Sequence, residues 1–202
     1  MAIINNMLTS DDEKILMSFK GSTLKSFEGY FLFDEPDLYT DVLKLHFKDS
    51  SFCITCKYAT MKFGDDDSSC EEFATFGISL DDEEIWVPSG TKVTKSKVGE
   101  TIEDVFLVND EIRINDDGDQ LYVNCLQAIA FRLPERYLVF QKEIWLSEMI
   151  RVTSGASLKS QLKNTINDWG CEDEDGTCEA VRTIVKLGDA KEIVSKEKLL
   201  EE

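Results

Sequence analysis

The chain has 202 residues, 42% of them hydrophobic and 31% charged, and its 40 Asp and Glu against 22 Lys and Arg give a formal net charge of −18. That much apolar material supports a core, which excludes a wholly disordered chain. The charge argues against direct contact with nucleic acid or an anionic membrane, because phosphate binding needs Lys and Arg, and it suits a basic partner.

The length fits one compact domain over 1–202, with 1–90 and 91–202 as candidate sub-units. Residues 1–8 carry no basic segment and no long apolar run, and Asp11, Asp12 and Glu13 follow at once. Neither a signal peptide nor a membrane span is expected there, which implies a cytoplasmic protein with reduced cysteines.

A first helix is expected from Ser10, with Glu13 completing a capping box, Ile15, Leu16 and Phe19 facing inward, and Gly21 as the stop. Strand signals then dominate. Residues 29–33 are short and aromatic. Residues 42–47 and 52–58 alternate and read as a hairpin around Asp49-Ser50. Leu43, Leu45 and Phe47 take one face of the first strand, Lys44 and His46 the other; Phe52, Ile54 and Cys56 share a face of the second. Further strands are expected at 85–87, 92–94, 102–108 and 121–131, the last bending near Gln127. Residues 137–140 and 144–152 form another pair, with Pro134-Glu135 turning the chain ahead of them.

Near the C-terminus, Ser157 is the expected cap of a second helix, in which Leu158, Leu162 and Ile166 recur, followed by Trp169 and Gly170. Residues 177–187 read as a strand and 189–200 as a charged helix. Gly21-Ser22-Thr23-Leu24-Lys25 is echoed by Gly99-Glu100-Thr101-Ile102-Glu103, each ahead of an aromatic strand, as a degenerate duplication would leave it. The expected fold is α+β: a mainly antiparallel, twisted sheet with helices near the N- and C-termini, two similar β-rich halves being an alternative to one undivided unit.

Catalytic motifs do not emerge. The sequence holds no GxGxxG, P-loop, GxSxG or HExxH. His46 is the sole histidine, and it sits on a polar strand face with no sequence signal for a nucleophile beside it. Cys53 and Cys56 have CxxC spacing, but inside a strand their thiols diverge. Joining them with Cys171 and Cys178 would give four thiolates, yet the second spacing misses the zinc-knuckle length. The Asp-rich loops at 115–119 and 173–176 fail as EF-hands, since their registers put Arg113 or Cys171 first and Asn124 or Arg182 last. No enzyme activity, metal or cofactor is therefore expected.

The strongest feature is the run 63–86, with nine acidic residues and no Lys or Arg. The expected partner-binding residues are Asp65, Asp66, Asp67, Glu71, Glu72, Asp81, Asp82, Glu83, Glu84 and Trp86. Phe73, Phe76 and Ile85 would supply apolar anchors between the charges. Such a run also serves solubility and protects sheet edges. The functional expectation is an acidic cytoplasmic binding protein that inhibits a basic partner, as an immunity protein neutralises a toxin nuclease. One alternative is a DNA-mimic decoy that blocks restriction or CRISPR-type machinery. Another is an enzyme or metal-binding domain of a different type.

Overall fold

The computed structural model describes residues 2–31, 37–62, 70–80, 84–85, 87, 89–116, 119–143, 147–166, 177–188 and 190–198 (backbone alone for 2, 31, 61–62, 70–72, 116 and 119). Among them, twelve strands join one sheet, and only two helices occur. The architecture is thus mainly antiparallel β, and the expected helical share shrinks.

The elements in chain order are β1 (Ala2–Asn6), α1 (Ser10–Ser18), β2 (Thr23–Phe31), β3 (Leu38–His46), β4 (Ser51–Lys62), β5 (Cys70–Leu80) and β6 (Thr94–Thr101). They continue with β7 (Asp104–Asp116), β8 (Asp119–Arg132), β9 (Tyr137–Lys142), β10 (Ile150–Gly155), α2 (Leu158–Gln161), β11 (Thr177–Lys186) and β12 (Glu192–Lys198). Two runs share one connectivity. Strands β2–β5 pair in succession, all antiparallel, and β6 returns to β2. Strands β7–β10 do the same, and β11 returns to β7.

The central strands β3 and β8 each change partner along one edge. Strand β3 meets β10 up to Thr40 and β4 from Val42. Asp41 lies at the changeover, where its carboxylate and the Thr40 hydroxyl both accept from the Val42 amide. Strand β8 meets β1, in parallel, up to Cys125, and β9 from Ala128. Gln127 is the extra residue of a β-bulge there, since Leu126 faces Asn109 and Ala128 faces Val108. A bulge bends a strand and ends a ladder locally, which lets one long strand serve two neighbours. The bend expected near Gln127 is this bulge. The hairpins expected at 47–52 and 131–137 are also present.

Helix α1 begins one residue earlier than expected. Thr9 is the N-cap: its hydroxyl accepts from the Asp12 amide at 3.2 Å, while the Asp12 carboxylate accepts from the Thr9 amide at 3.1 Å. Asp12 also accepts from the Ile78 amide of β5, at 3.0 Å, so the cap ties α1 to the sheet. Thr9→Ala is expected to lower stability by about 0.5–2 kcal/mol, read as a shift of the urea midpoint at constant m.

The main core is aromatic. Phe19 of the α1 exit stacks against Phe47 and Phe52 at centroid distances of 4.8 and 4.9 Å, and Phe131 meets Phe140 edge-on at 5.1 Å. Alternation fills it as expected, with Leu43, Leu45, Ile54 and Cys56 all buried there. Gly29, at a register shift in β2, allows close approach: a Cβ there would collide with the Leu38 side chain.

The C-terminal helices are where expectation and structure part. Helix α2 covers only four residues. Past Gln161 the backbone is claimed by the end of β9. The Lys163 amide donates to the Gln141 side chain at 2.7 Å, Asn164 Nδ2 donates to the Lys142 carbonyl at 3.0 Å, and the Asn164 carbonyl accepts from Arg182. Leu158 and Ile166 are still buried, but in different clusters, so their four-residue spacing does not come from one helix face. The expected helix over 189–200 is strand β12, paired with β11. Its β-branched Ile193-Val194 pair and an available sheet edge outweigh the charged, helix-compatible composition. Strands β1, β5 and β6 were not anticipated. Residues 85 and 87 belong to no strand.

Candidate functional site

The acidic run does not form one loop. Strand β5 runs through it, and Met61 and Thr60 of β4 pair with Glu71 and Glu72. Its eleven residues separate the chain entering at Cys70 from the chain leaving at Leu80 by about 33 Å. In sequence, Asp65, Asp66 and Asp67 precede β5, Glu71 and Glu72 lie within it, and Asp81, Asp82, Glu83 and Glu84 follow it. Glu84 is exposed. Asp65, Asp66, Asp67, Asp81, Asp82, Glu83 and Trp86 lie outside the described residues. Two expected apolar anchors are corrected: Phe73 is 5% exposed and Phe76 3%, both core residues. Three residues apart on a strand, they fall on opposite faces and are buried in separate clusters, so neither belongs to a contact surface.

A second constellation lies on the outer face of β2, β3, β4 and β6. His46 stands opposite Ser26 on β2 and Ser51 on β4, and Ser26 stands opposite Lys97 on β6. His46 Nε2 lies 2.8 Å from Glu28 Oε1, and Nδ1 lies 2.9 Å from Ser51 Oγ. Lys95 Nζ donates to the same Glu28 oxygen at 2.8 Å. Partial burial alone would raise the Glu28 pKa, but Lys95 and then His46 outweigh it and hold the carboxyl below its usual value. An ionised Glu28 only accepts, so in the neutral ring Nε2 carries the proton and Nδ1 accepts from the Ser51 hydroxyl.

This array satisfies the hydrogen-bond order of a Ser-His-acid relay. However, the sequence across the sheet is Lys97, Ser26, His46, Ser51, and the adjoining cavity is lined by Lys25, Ser26, Lys95, Lys97, Val98 and Gly99. The ring thus stands between that cavity and Ser51. Alternation did place His46 and Lys44 on one polar face, but the partners Glu28 and Ser51 come from register, which no local pattern encodes.

Ionisable groups also lie inside the fold. Arg182 on β11 faces Asp110 on β7, and two parallel bonds of 2.7 Å join them. Lys142, at the end of β9, is fully buried, and its Nζ has no hydrogen-bond partner among the described residues. It sits 5.6 Å over the Phe76 ring. Burial lowers its pKa, against the opposing pull of Cys56, Cys125 and Asp110. Burial likewise pushes the Cys56 thiol up to about 12 and Cys125 up to about 11, which keeps both as unreactive thiols at neutral pH.

Cys53, Cys56, Cys125 and Cys178 are buried, and no disulfide joins any two of them. Cys56 lies in the main core and Cys178 in a separate cluster with Cys125. Cys171 and most of the two Asp-rich loops lie outside the described residues. Among the described residues no group of His, Cys, Asp and Glu is arranged to hold a metal ion. No described helix is long and apolar enough to cross a membrane.

The chain matches no protein-family model, no curated protein and no solved structure.

Proposed function

We propose that this chain is an acidic binding protein that captures and inhibits a basic partner, acting as immunity proteins act on toxin nucleases. The observation that carries the reading is the net charge of −18, with nine carboxylates and no Lys or Arg in the run 63–86. A sheet whose strands are joined by charged segments is a common design for recognition. Its negative potential would steer a cationic partner into encounter, and charge-assisted hydrogen bonds would then hold it. A basic nuclease covered in this way loses access to its own polyanionic substrate. Four buried thiols that no disulfide joins to one another support a reducing, cytoplasmic setting. The shared connectivity of the two strand runs supports a duplicated β-unit, divided between β6 and β7 rather than at residue 90.

The test is capture from native cells at low salt with release at high salt. One basic protein, bound stoichiometrically, is the expected result. Changing Asp65, Asp66, Asp67, Glu71 and Glu72 together to Asn or Gln should slow association about tenfold or more at low ionic strength. An unchanged on-rate would remove these residues from the interface. Competition by duplex DNA for the captured protein would point to a DNA mimic instead.

A further inference from the structure

In a chain this acidic, three lysines border one open cavity, largely through their aliphatic stems. It lies on the outer face at the β2–β6 edge and has a volume of about 570 Å³. Lys25, Lys95 and Lys97 line it, together with Ser26, Val98 and Gly99, and no carboxylate does. We infer that this cavity is a binding site for a small oxyanion of the phosphate class, either inorganic phosphate or the phosphate group of a small monoester.

The backbone builds the site. Between Leu24 and Ser26 the β2–β6 register slips, since Leu24 faces Glu100 and Ser26 faces Lys97. Strand β6 therefore carries one extra residue, and Gly99 takes a φ of 72° at that point, a conformation that favours glycine. The slip sets Lys25 beside the Ser26 floor without a register partner of its own. Lys95 and Lys97, two residues apart on β6, project on the same side. Both are exposed, while Ser26 is buried.

The three ammonium groups are not equally engaged. Lys95 is held by Glu28, which His46 also contacts. Among the described residues, Lys25 donates to the neutral Lys48 carbonyl, at 3.4 Å, and forms no ion pair. Lys97 has no ion-pair or hydrogen-bond partner among the described residues. Two cations therefore remain to meet a ligand, with the His46 ring next in the row beyond Ser26. Lysine answers phosphate as a point charge with rotatable donors, and a concave wall concentrates its field.

Size follows from the rest of the molecule. A long polyanion would extend past this cavity into the field of a chain with net charge −18, where it is repelled. A compact dianion can engage Lys25 and Lys97 locally, with Glu28 neutralised by Lys95. The ligand is therefore a single phosphate group and not a nucleic acid.

The experiment is calorimetric titration of the full chain with inorganic phosphate and, separately, with adenosine 5′-monophosphate. One saturable site is expected. Equal affinity for the two would identify the free ion as sufficient; tighter binding of the monoester would identify an organic phosphate. Lys25→Gln and Lys97→Gln should each weaken binding about tenfold. Lys196→Gln, on β12, should leave it unchanged. All three side chains are solvent-exposed, and thermal melting of each variant checks the fold. No saturation by about 10 mM, a range beyond millimolar affinity, would overturn the inference. So would equal binding by wild type and the Lys25 and Lys97 variants, or tighter binding of duplex DNA than of either phosphate. None of these outcomes bears on capture of a basic protein by the acidic run.

Discussion

Asp110→Asn is expected to lower the unfolding free energy by about 3–5 kcal/mol, the typical cost of breaking a buried ion pair by removing one partner. Asp110 is completely buried and Arg182 is 4% exposed. The guanidinium gives two parallel bonds to the carboxylate and a third to the Asn164 carbonyl. Asn would keep an acceptor but not the charge, so Arg182 would remain in the interior uncompensated. Lys142 would suffer as well, because Asp110 is one of the groups that favour its charged form. The pair also joins β7, β11 and the segment after α2, three parts of the chain far apart in sequence. Urea unfolding at neutral pH measures the loss. A second variant separates charge from packing: Asp110→Leu with Arg182→Met removes both ions and should recover most of the lost stability, since well-packed apolar replacements of buried pairs are neutral or stabilising. A loss below about 1 kcal/mol for Asp110→Asn would place the pair in the range of solvent-screened bridges, contrary to its burial.

What the sequence discloses here follows the range of each signal. Period-two alternation within one strand is local, so the β3–β4 hairpin, its inward residues and the strand at 177–187 could be read directly. The Gln127 bend was legible because an apolar run of that length rarely stays straight. The echo of Gly21 and Gly99 marked two residues with φ of 81° and 72°, and the segments that follow them open strand runs of the same connectivity. The failures are equally physical. The charges around strand β5 make it read as a loop, although Ala74, Phe76 and Ile78 carry a buried strand's period-two pattern. The sequence of strand β12 reads as a helix because Lys and Glu suit both states, and only the open edge of β11 decides between them. The lysine cavity and the His46 array could not be found at all, for they depend on which strands lie side by side. The buried pair Asp110–Arg182 escaped for the same reason: a charged residue in an alternating strand reads as solvent-facing until a second sheet layer or segment covers it.

Lys142→Met should raise stability by about 1–4 kcal/mol at neutral pH. Lysine is seldom fully buried without a partner, and here the Nζ gains only the face of Phe76 and the distant pull of neighbouring groups. Met keeps the unbranched shape and the packing of the stem while removing the desolvated amine. The change should also alter the pH profile in a defined direction. Burial lowers the folded-state pKa of Lys142 below its ordinary value of 10.5. Between those two pKa values the unfolded chain binds the extra proton and the folded chain does not, so the native state gains stability as pH rises, by at most about 1.4 kcal/mol per pH unit. Below the folded pKa the penalty is present in full; above 10.5 it is gone. The advantage of Lys142→Met over wild type should therefore shrink on the alkaline side, and paired urea titrations from neutral pH upward would record it. A variant less stable than wild type at neutral pH, or an advantage that grows with pH, would show that the ammonium is stabilised in place. In that case Lys142 would be a cation the fold is built around, and its neighbours Cys56, Cys125 and Asp110 would have to supply the compensation.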